Sequence, residues 1–185
     1  MLLRSLIALA CLGIASLSAG RADAADCPAF LDQSLRKLHS SESVNLCQLA
    51  AGKPLLIVNT ASHCGFTPQF KGLEVVHQRY RERGLVVVGF ASDDFNQEAK
   101  DEAEAAEVCF LNNGVTFTML APTSVKGTTA NPVFKELARQ SQAPSWNSNK
   151  YVISADGRSV RHFGSLVTPD SSELNRAIEG VLANR

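Results

Sequence analysis

Two apolar runs constrain the fold of this chain more than any other feature: Leu55-Leu56-Ile57-Val58-Asn59-Thr60 and Leu85-Val86-Val87-Val88-Gly89-Phe90. Each has the length of a strand and is apolar at successive positions, the pattern of a strand covered on both faces. Between them Phe70, Leu73, Val76 and Tyr80 recur every three or four residues, with Lys71, Glu74, Gln78 and Arg81 interleaved. That period predicts an amphipathic helix, with Gly84 as its C-cap. Strand, helix and strand in this order form a right-handed βαβ unit.

The flanking segments complete the architecture. A short helix is expected over residues 26–39 and a short strand over Val44 to Leu49. Residues 99–112 read as an acidic helix, the run Glu98 to Glu107 forming a solvated face. A strand around Val115 to Leu120 and a helix from Pro132 to Gln140 follow. Tyr151-Val152-Ile153-Ser154 and Ser159-Val160-Arg161-His162-Phe163 flank Asp156-Gly157, a hairpin signal. Pro169-Asp170-Ser171-Ser172-Glu173 opens a last helix with good capping chemistry. A βαβ half followed by a hairpin and a helix is the thioredoxin order. The expected fold class is therefore α/β and thioredoxin-like, a central mixed β-sheet flanked by helices.

The N-terminus carries a separate message. Arg4, the apolar stretch Leu6 to Leu17 and the small residues of Ala22-Asp23-Ala24 follow the order of a secretory signal peptide, too short in its apolar core to remain as a membrane anchor. Residues 1–24 are expected to be that leader and residues 25–185 a single domain, exported to a periplasm or secreted. No repeat, low-complexity tract or linker divides it. The whole chain balances 18 basic against 18 acidic side chains. Without a basic run it has no electrostatic footprint for nucleic acid or an anionic membrane. Small molecules and other proteins are the expected partners. The scattered histidines have no metal-ligand spacing, so no metal is implied.

Chemistry concentrates in Asn59-Thr60-Ala61-Ser62-His63-Cys64-Gly65-Phe66-Thr67-Pro68-Gln69-Phe70. Cys64 falls between the end of a buried strand and the first turn of a helix. Unpaired N–H groups and partial positive charge at a helix N-terminus favour thiolate, the nucleophilic form. Placement alone fits an inert buried cysteine equally well. The absence of a second cysteine from Cys64-Gly65-Phe66-Thr67 argues against a disulfide oxidoreductase of the C-x-x-C kind.

The wider pattern separates these readings. Asn59 to Thr67 resembles the nucleophile motif of the glutathione peroxidase family. Gly72-Leu73-Glu74, Gly84 to Phe90, Gly114-Val115-Thr116-Phe117, Trp146-Asn147 and Lys150-Tyr151 follow in the family's succession. The resemblance runs from about Val44 to Leu182. It implies a thiol-dependent peroxidase with Cys64 as the peroxidatic residue, in the place that some members fill with selenocysteine. Attack on a peroxide oxygen would expel water or alcohol and leave a sulfenic acid. It also implies hydrogen-bond donors around the sulfur, and Trp146 and Asn147 match two of them. The third, a glutamine, falls at Asp94, whose ionised carboxylate accepts hydrogen bonds and would repel a thiolate. Gln97 is the alternative donor, since the chain is about one residue short here. Ser148 stands where a phenylalanine usually follows the Trp-Asn pair.

Resemblance also places Cys109 where thioredoxin-dependent members carry a resolving cysteine. Four cysteines follow the leader, and spacing alone permits three full pairings. With Cys64 and Cys109 engaged in the reaction, Cys27 and Cys47 are left as a structural disulfide suited to an oxidising compartment. No prosthetic cofactor is expected; the co-substrate is a thiol, glutathione or a thioredoxin-like protein. The short span between Lys135 and Trp146 leaves no insert for a subunit interface, so a monomer is expected. The alternative functions are a non-catalytic redox sensor and a thioredoxin-fold disulfide oxidoreductase.

Overall fold

The computed structural model describes residues 27–183, so the leader expected over residues 1–24 lies outside the described residues. In chain order the elements are β1 (Ser34–Arg36), β2 (Ser43–Asn45), α1 (Leu46–Ala50), β3 (Leu55–Thr60), α2 (Gln69–Tyr80), β4 (Val86–Ala91) and α3 (Glu102–Ala106). A π-helical segment, Glu107–Asn112, continues α3. Then come β5 (Thr118–Leu120), α4 (Pro132–Gln140), β6 (Lys150–Ile153), β7 (Val160–Phe163) and α5 (Ser172–Ala183).

The two apolar runs form the centre of a five-stranded sheet of order β5-β4-β3-β6-β7. β3 pairs parallel with β4, from Leu55 opposite Val86 to Thr60 opposite Ala91, and β4 pairs parallel with β5. β6 runs antiparallel to both β3 and β7. All six β3 residues are buried, which is what their uninterrupted apolar pattern requires. Leu56 and Val58 face a core shared with Phe70, Leu73 and Val76 of α2 and Ile178 of α5. Leu55 and Ile57 face the opposite core with Phe134 of α4 and Tyr151. Alternate side chains of one strand thus fasten helices to both sheet faces. Gly89 is the point of closest approach: a Cβ there would lie 2.2 Å from the Met119 sulfur on β5. This is the thioredoxin-like architecture.

Several local expectations fail for physical reasons. Residues 27–39, the described part of the helix expected over 26–39, are not helical. Their stretch contains a turn near Ala29 and then β1, which pairs antiparallel with β2. Leu31, Leu35 and Leu38 do repeat at helical spacing, but Leu31 and Leu38 reach the core from the turns on either side of β1. The strand expected over Val44 to Leu49 stops at Asn45, whose side chain caps α1 by accepting from the Gln48 N–H at 3.2 Å. α2 ends at Tyr80 rather than at Gly84. Gly84, at φ 90°, turns the chain into β4 instead. The helix expected over 99–112 begins only at Glu102, where the Asp101 carboxylate caps it, and it widens into the π segment.

The β1–β2 hairpin is tied down twice. Leu38 N–H donates to the Met119 carbonyl and Ala121 N–H to the Arg36 carbonyl, each at 2.9 Å, laying residues 36–38 along β5. A disulfide joins Cys27 to Cys47, with Cα atoms 5.8 Å apart and 20 residues of separation. By loop-closure entropy such a bond stabilises by about 3 kcal/mol. Among the described residues no helix is long and apolar enough to cross a membrane.

Candidate active site

The site forms at the C-terminal end of β3, where the chain leaves the sheet through Ala61-Ser62-His63-Cys64. Cys64 is buried, with 7% of its surface exposed, and carries a free thiol. Successive turns, with Thr67 N–H on the Cys64 carbonyl and Gln69 N–H on the Phe66 carbonyl, separate it from α2. The helix dipole fades within a turn, so local donors matter more here. Phe66 N–H points at the Cys64 sulfur at 3.4 Å. Thr67 fixes the loop: its hydroxyl accepts from the Cys64 N–H at 3.0 Å and donates to the Ala61 carbonyl at 2.9 Å.

Loop 146–149 packs beside this turn. Ser148 N–H donates to the Asn59 carbonyl at 2.7 Å, and the Asn59 side-chain amide donates to the Trp146 carbonyl at 2.9 Å. Ser148 sits at φ 60°, which turns the loop sharply between Asn147 and Asn149. Trp146 is exposed and tilts against Phe95, ring centroids 5.2 Å apart. With Phe66, Ser165 and Leu166 it lines an open cleft of about 350 Å³. Asn147 is fully buried and donates from Nδ2 to Gln97 Oε1 at 3.0 Å, while its Oδ1 has no partner. Exchanging oxygen and nitrogen in both amides keeps that bond and turns the Asn147 amide donors to the unpaired side.

Asp94 stands apart from the thiol's hydrogen bonds. Its carboxylate accepts from the Ser124 hydroxyl and from the Val125 and Lys126 N–H groups, the last at 3.1 Å. It organises loop 124–126. Gln97 is the residue that joins the site, through Asn147 and through its carbonyl, which accepts from His63 N–H at 2.8 Å. Asp94→Asn is therefore expected to keep peroxide turnover within about threefold of wild type while loosening loop 124–126 only slightly, since all three donors reach Oδ2 and an amide oxygen there accepts them without the charge. Steady-state kinetics checks this, and an inactive, folded variant overturns it.

Cys109 lies buried on the π segment as a second free thiol. Burial, and secondarily the charge of Glu98, pushes that thiol up to about 12. The structure does not join it to Cys64.

Sequence reasoning missed three neighbours of the site. Thr67 is the loop's hydrogen-bond hub. Lys150 is fully buried, and burial lowers it to about 8; its ammonium donates to Gln69 at the start of α2. A lysine inside the apolar run of β6 was the available signal. Glu98, read as part of a solvated helix face, is instead 6% exposed, precedes α3 and binds Ser62. His63 faces away, with Nε2 3.1 Å from the Glu104 carboxylate.

A cysteine loop at the C-terminal end of a central strand, on this sheet and with amide and indole groups gathered beside it, defines the chain as a thioredoxin-like thiol enzyme. The chain belongs to the glutathione peroxidase family: the family model described as glutathione peroxidase matches residues 30–138. It is 45% identical over 137 residues to "Glutathione peroxidase-like peroxiredoxin GPX5" of Chlamydomonas reinhardtii, covering 71% of this chain and 83% of the relative. "Glutathione peroxidase" of Lactococcus lactis is 38% identical over 150 residues, 78% of this chain and 94% of that one. The crystal structure of Trgpx in apo form superposes with a TM-score of 0.66 at 28% identity, covering 85% of this chain and 97% of the other. The protein is accordingly a peroxidase, an oxidoreductase that reduces peroxides with a thiol co-substrate and without a prosthetic group.

Proposed function

We propose that this enzyme is an exported, monomeric two-cysteine peroxidase in which Cys64 meets the peroxide and Cys109 resolves it. The observation that carries the reading is the placement of Cys64. It is a free thiol with an N–H aimed at its sulfur, in a turn braced by the Gln97–Asn147 amide pair and the Trp146 loop. In the first step the Cys64 sulfur attacks the near peroxide oxygen, the O–O bond breaks, and the far oxygen leaves as water or alcohol. Asn147, Gln97 and Trp146 are the groups proposed to orient the peroxide and stabilise the charge that develops. The open cleft lined by Phe66, whose N–H points at the Cys64 sulfur, supports an organic hydroperoxide as substrate as well as hydrogen peroxide.

In the second step the Cys109 sulfur attacks the Cys64 sulfenic acid, a disulfide forms and water leaves. Cys109 sits in a wide π turn flanked by exposed Phe110 and Leu111, a segment with little apolar burial to lose on opening. A thioredoxin-like protein then reduces the disulfide, with glutathione as the other thiol that would serve. Export rests on the leader-like residues 1–24, and the Cys27–Cys47 disulfide supports a periplasmic or secreted location in an oxidising compartment. Peptide mapping after one equivalent of peroxide is expected to find a Cys64–Cys109 disulfide beside Cys27–Cys47. A persistent sulfenic acid in the wild type overturns the resolving role.

A further inference from the structure

Glu98 is a buried carboxylate to which the proposed reaction gives no part. Its Oε1 accepts three hydrogen bonds: from the Ser62 N–H at 3.1 Å, from the Ser62 hydroxyl, and from the Ala99 N–H at 2.8 Å. Its own N–H donates to the Asp93 carboxylate at 3.0 Å. The preceding residue, Gln97, takes the His63 N–H on its carbonyl at 2.8 Å. Residues 97 and 98 thus grip residues 62 and 63, the two that immediately precede the Cys64 nucleophile. The grip joins the loop after β4 to the turn after β3.

The choice of a carboxylate for this grip is informative. A neutral amide oxygen could accept from Ser62 without bringing a charge into the interior, where an unpaired ion is costly. Among the described residues no Lys, Arg or His forms an ion pair with Glu98. The titratable groups that face it are Asp93 from its own loop and Cys109 from the π segment, and the nearby His63 is engaged by Glu104. Burial, joined by Asp93, outweighs the Ser62 and Ala99 donors and pushes the Glu98 carboxyl above the usual carboxylate range.

We propose that Glu98 is a positioning residue for the first thiol step: through Ser62 it sets the turn that presents the Cys64 sulfur to peroxide. The inference deepens the two-cysteine reading and rests on it.

Glu98→Gln keeps an acceptor oxygen for the Ser62 donors and Glu98→Ala removes it, so the pair isolates the grip. Single-turnover oxidation of Cys64 should fall about tenfold in Glu98→Ala and less than threefold in Glu98→Gln. Wild-type oxidation by a folded Glu98→Ala variant, or an equal loss in Glu98→Gln, overturns the proposal, and if Glu98→Ala does not fold, Ser62→Ala replaces it with the same expectation. Failure of the two-cysteine reading is distinguishable, since it leaves wild type without a Cys64–Cys109 disulfide whatever the variants do to the first step.

Discussion

Cys64→Ser is expected to lower single-turnover peroxide consumption by on the order of a thousandfold or more, the scale on which enzymes respond to losing a nucleophile. A serine hydroxyl is nearly isosteric but does not ionise near neutrality, and nothing in the site is placed to deprotonate it. His63, the adjacent candidate base, is turned toward Glu104. The fold should be indifferent to the change. Cys64 is held through its backbone, by Thr67 on both sides, and its side chain takes one long contact from Phe66 N–H. Rapid-mixing measurements on wild type and variant, with hydrogen peroxide and an organic hydroperoxide, give the comparison. A serine variant with wild-type rates would mean that another sulfur carries the reaction. Cys109 would be the remaining free thiol among the described residues.

For Cys109→Ser the expected loss falls on the cycle rather than on its first event. The first peroxide should be consumed within about threefold of the wild-type rate, because no hydrogen bond to the Cys64 turn originates at Cys109. Steady turnover with a thioredoxin-like reductant should drop by about a hundredfold, with Cys64 accumulating as a sulfenic acid that a dione probe can trap. The ground for separating the steps is structural. The two sulfurs are separate buried thiols, and a disulfide requires Cα atoms within about 7 Å and suitably aimed Cβ atoms. At neutral pH Cys109, pushed up to about 12, is a poor nucleophile where it lies. Opening of the π segment to water would both lower that barrier and bring the sulfur across. Unchanged steady turnover in the variant would show that an external thiol resolves Cys64 directly.

Much of this was legible because it depends on short-range pattern. The two apolar runs, the 3.6-residue stripe of α2, the Asp156-Gly157 turn and the capping residues before α5 each specify an element locally, and the sheet follows once β3 and β4 are parallel. The N-terminal segment was not legible. Its leucines satisfy a helical period, and only pairing with Ser43–Asn45 and with the β5 edge makes residues 34–37 extended. No local signal announces a partner that lies some eighty residues away.

The site divides along the same line. Cys64 was visible because strand, cysteine and helix are contiguous, and Trp146 and Asn147 because they resemble a known pair. Asp94 is drawn to the amides of 124–126 and Gln97, three residues on, to Asn147, a choice that only the folded loop reveals. Charge counting led to the opposite assignment for Glu98, because an acidic run usually means solvent. Three donors converging on one oxygen can be seen only in three dimensions.

The hairpin laid against β5 bears on how copies of this protein meet each other. A sheet normally ends in two margins of unpaired amides and carbonyls, and either can template a foreign strand. Here one margin is already occupied by residues 36–38 of the same chain, held in place through the Cys27–Cys47 link. The other belongs to β7, four residues long, with Arg161 exposed along it. An intruding chain therefore finds one short, charged margin instead of two. That guards against strand-to-strand polymerisation, and the Cys27–Cys47 bond adds to it a covalent brace that reductants can break.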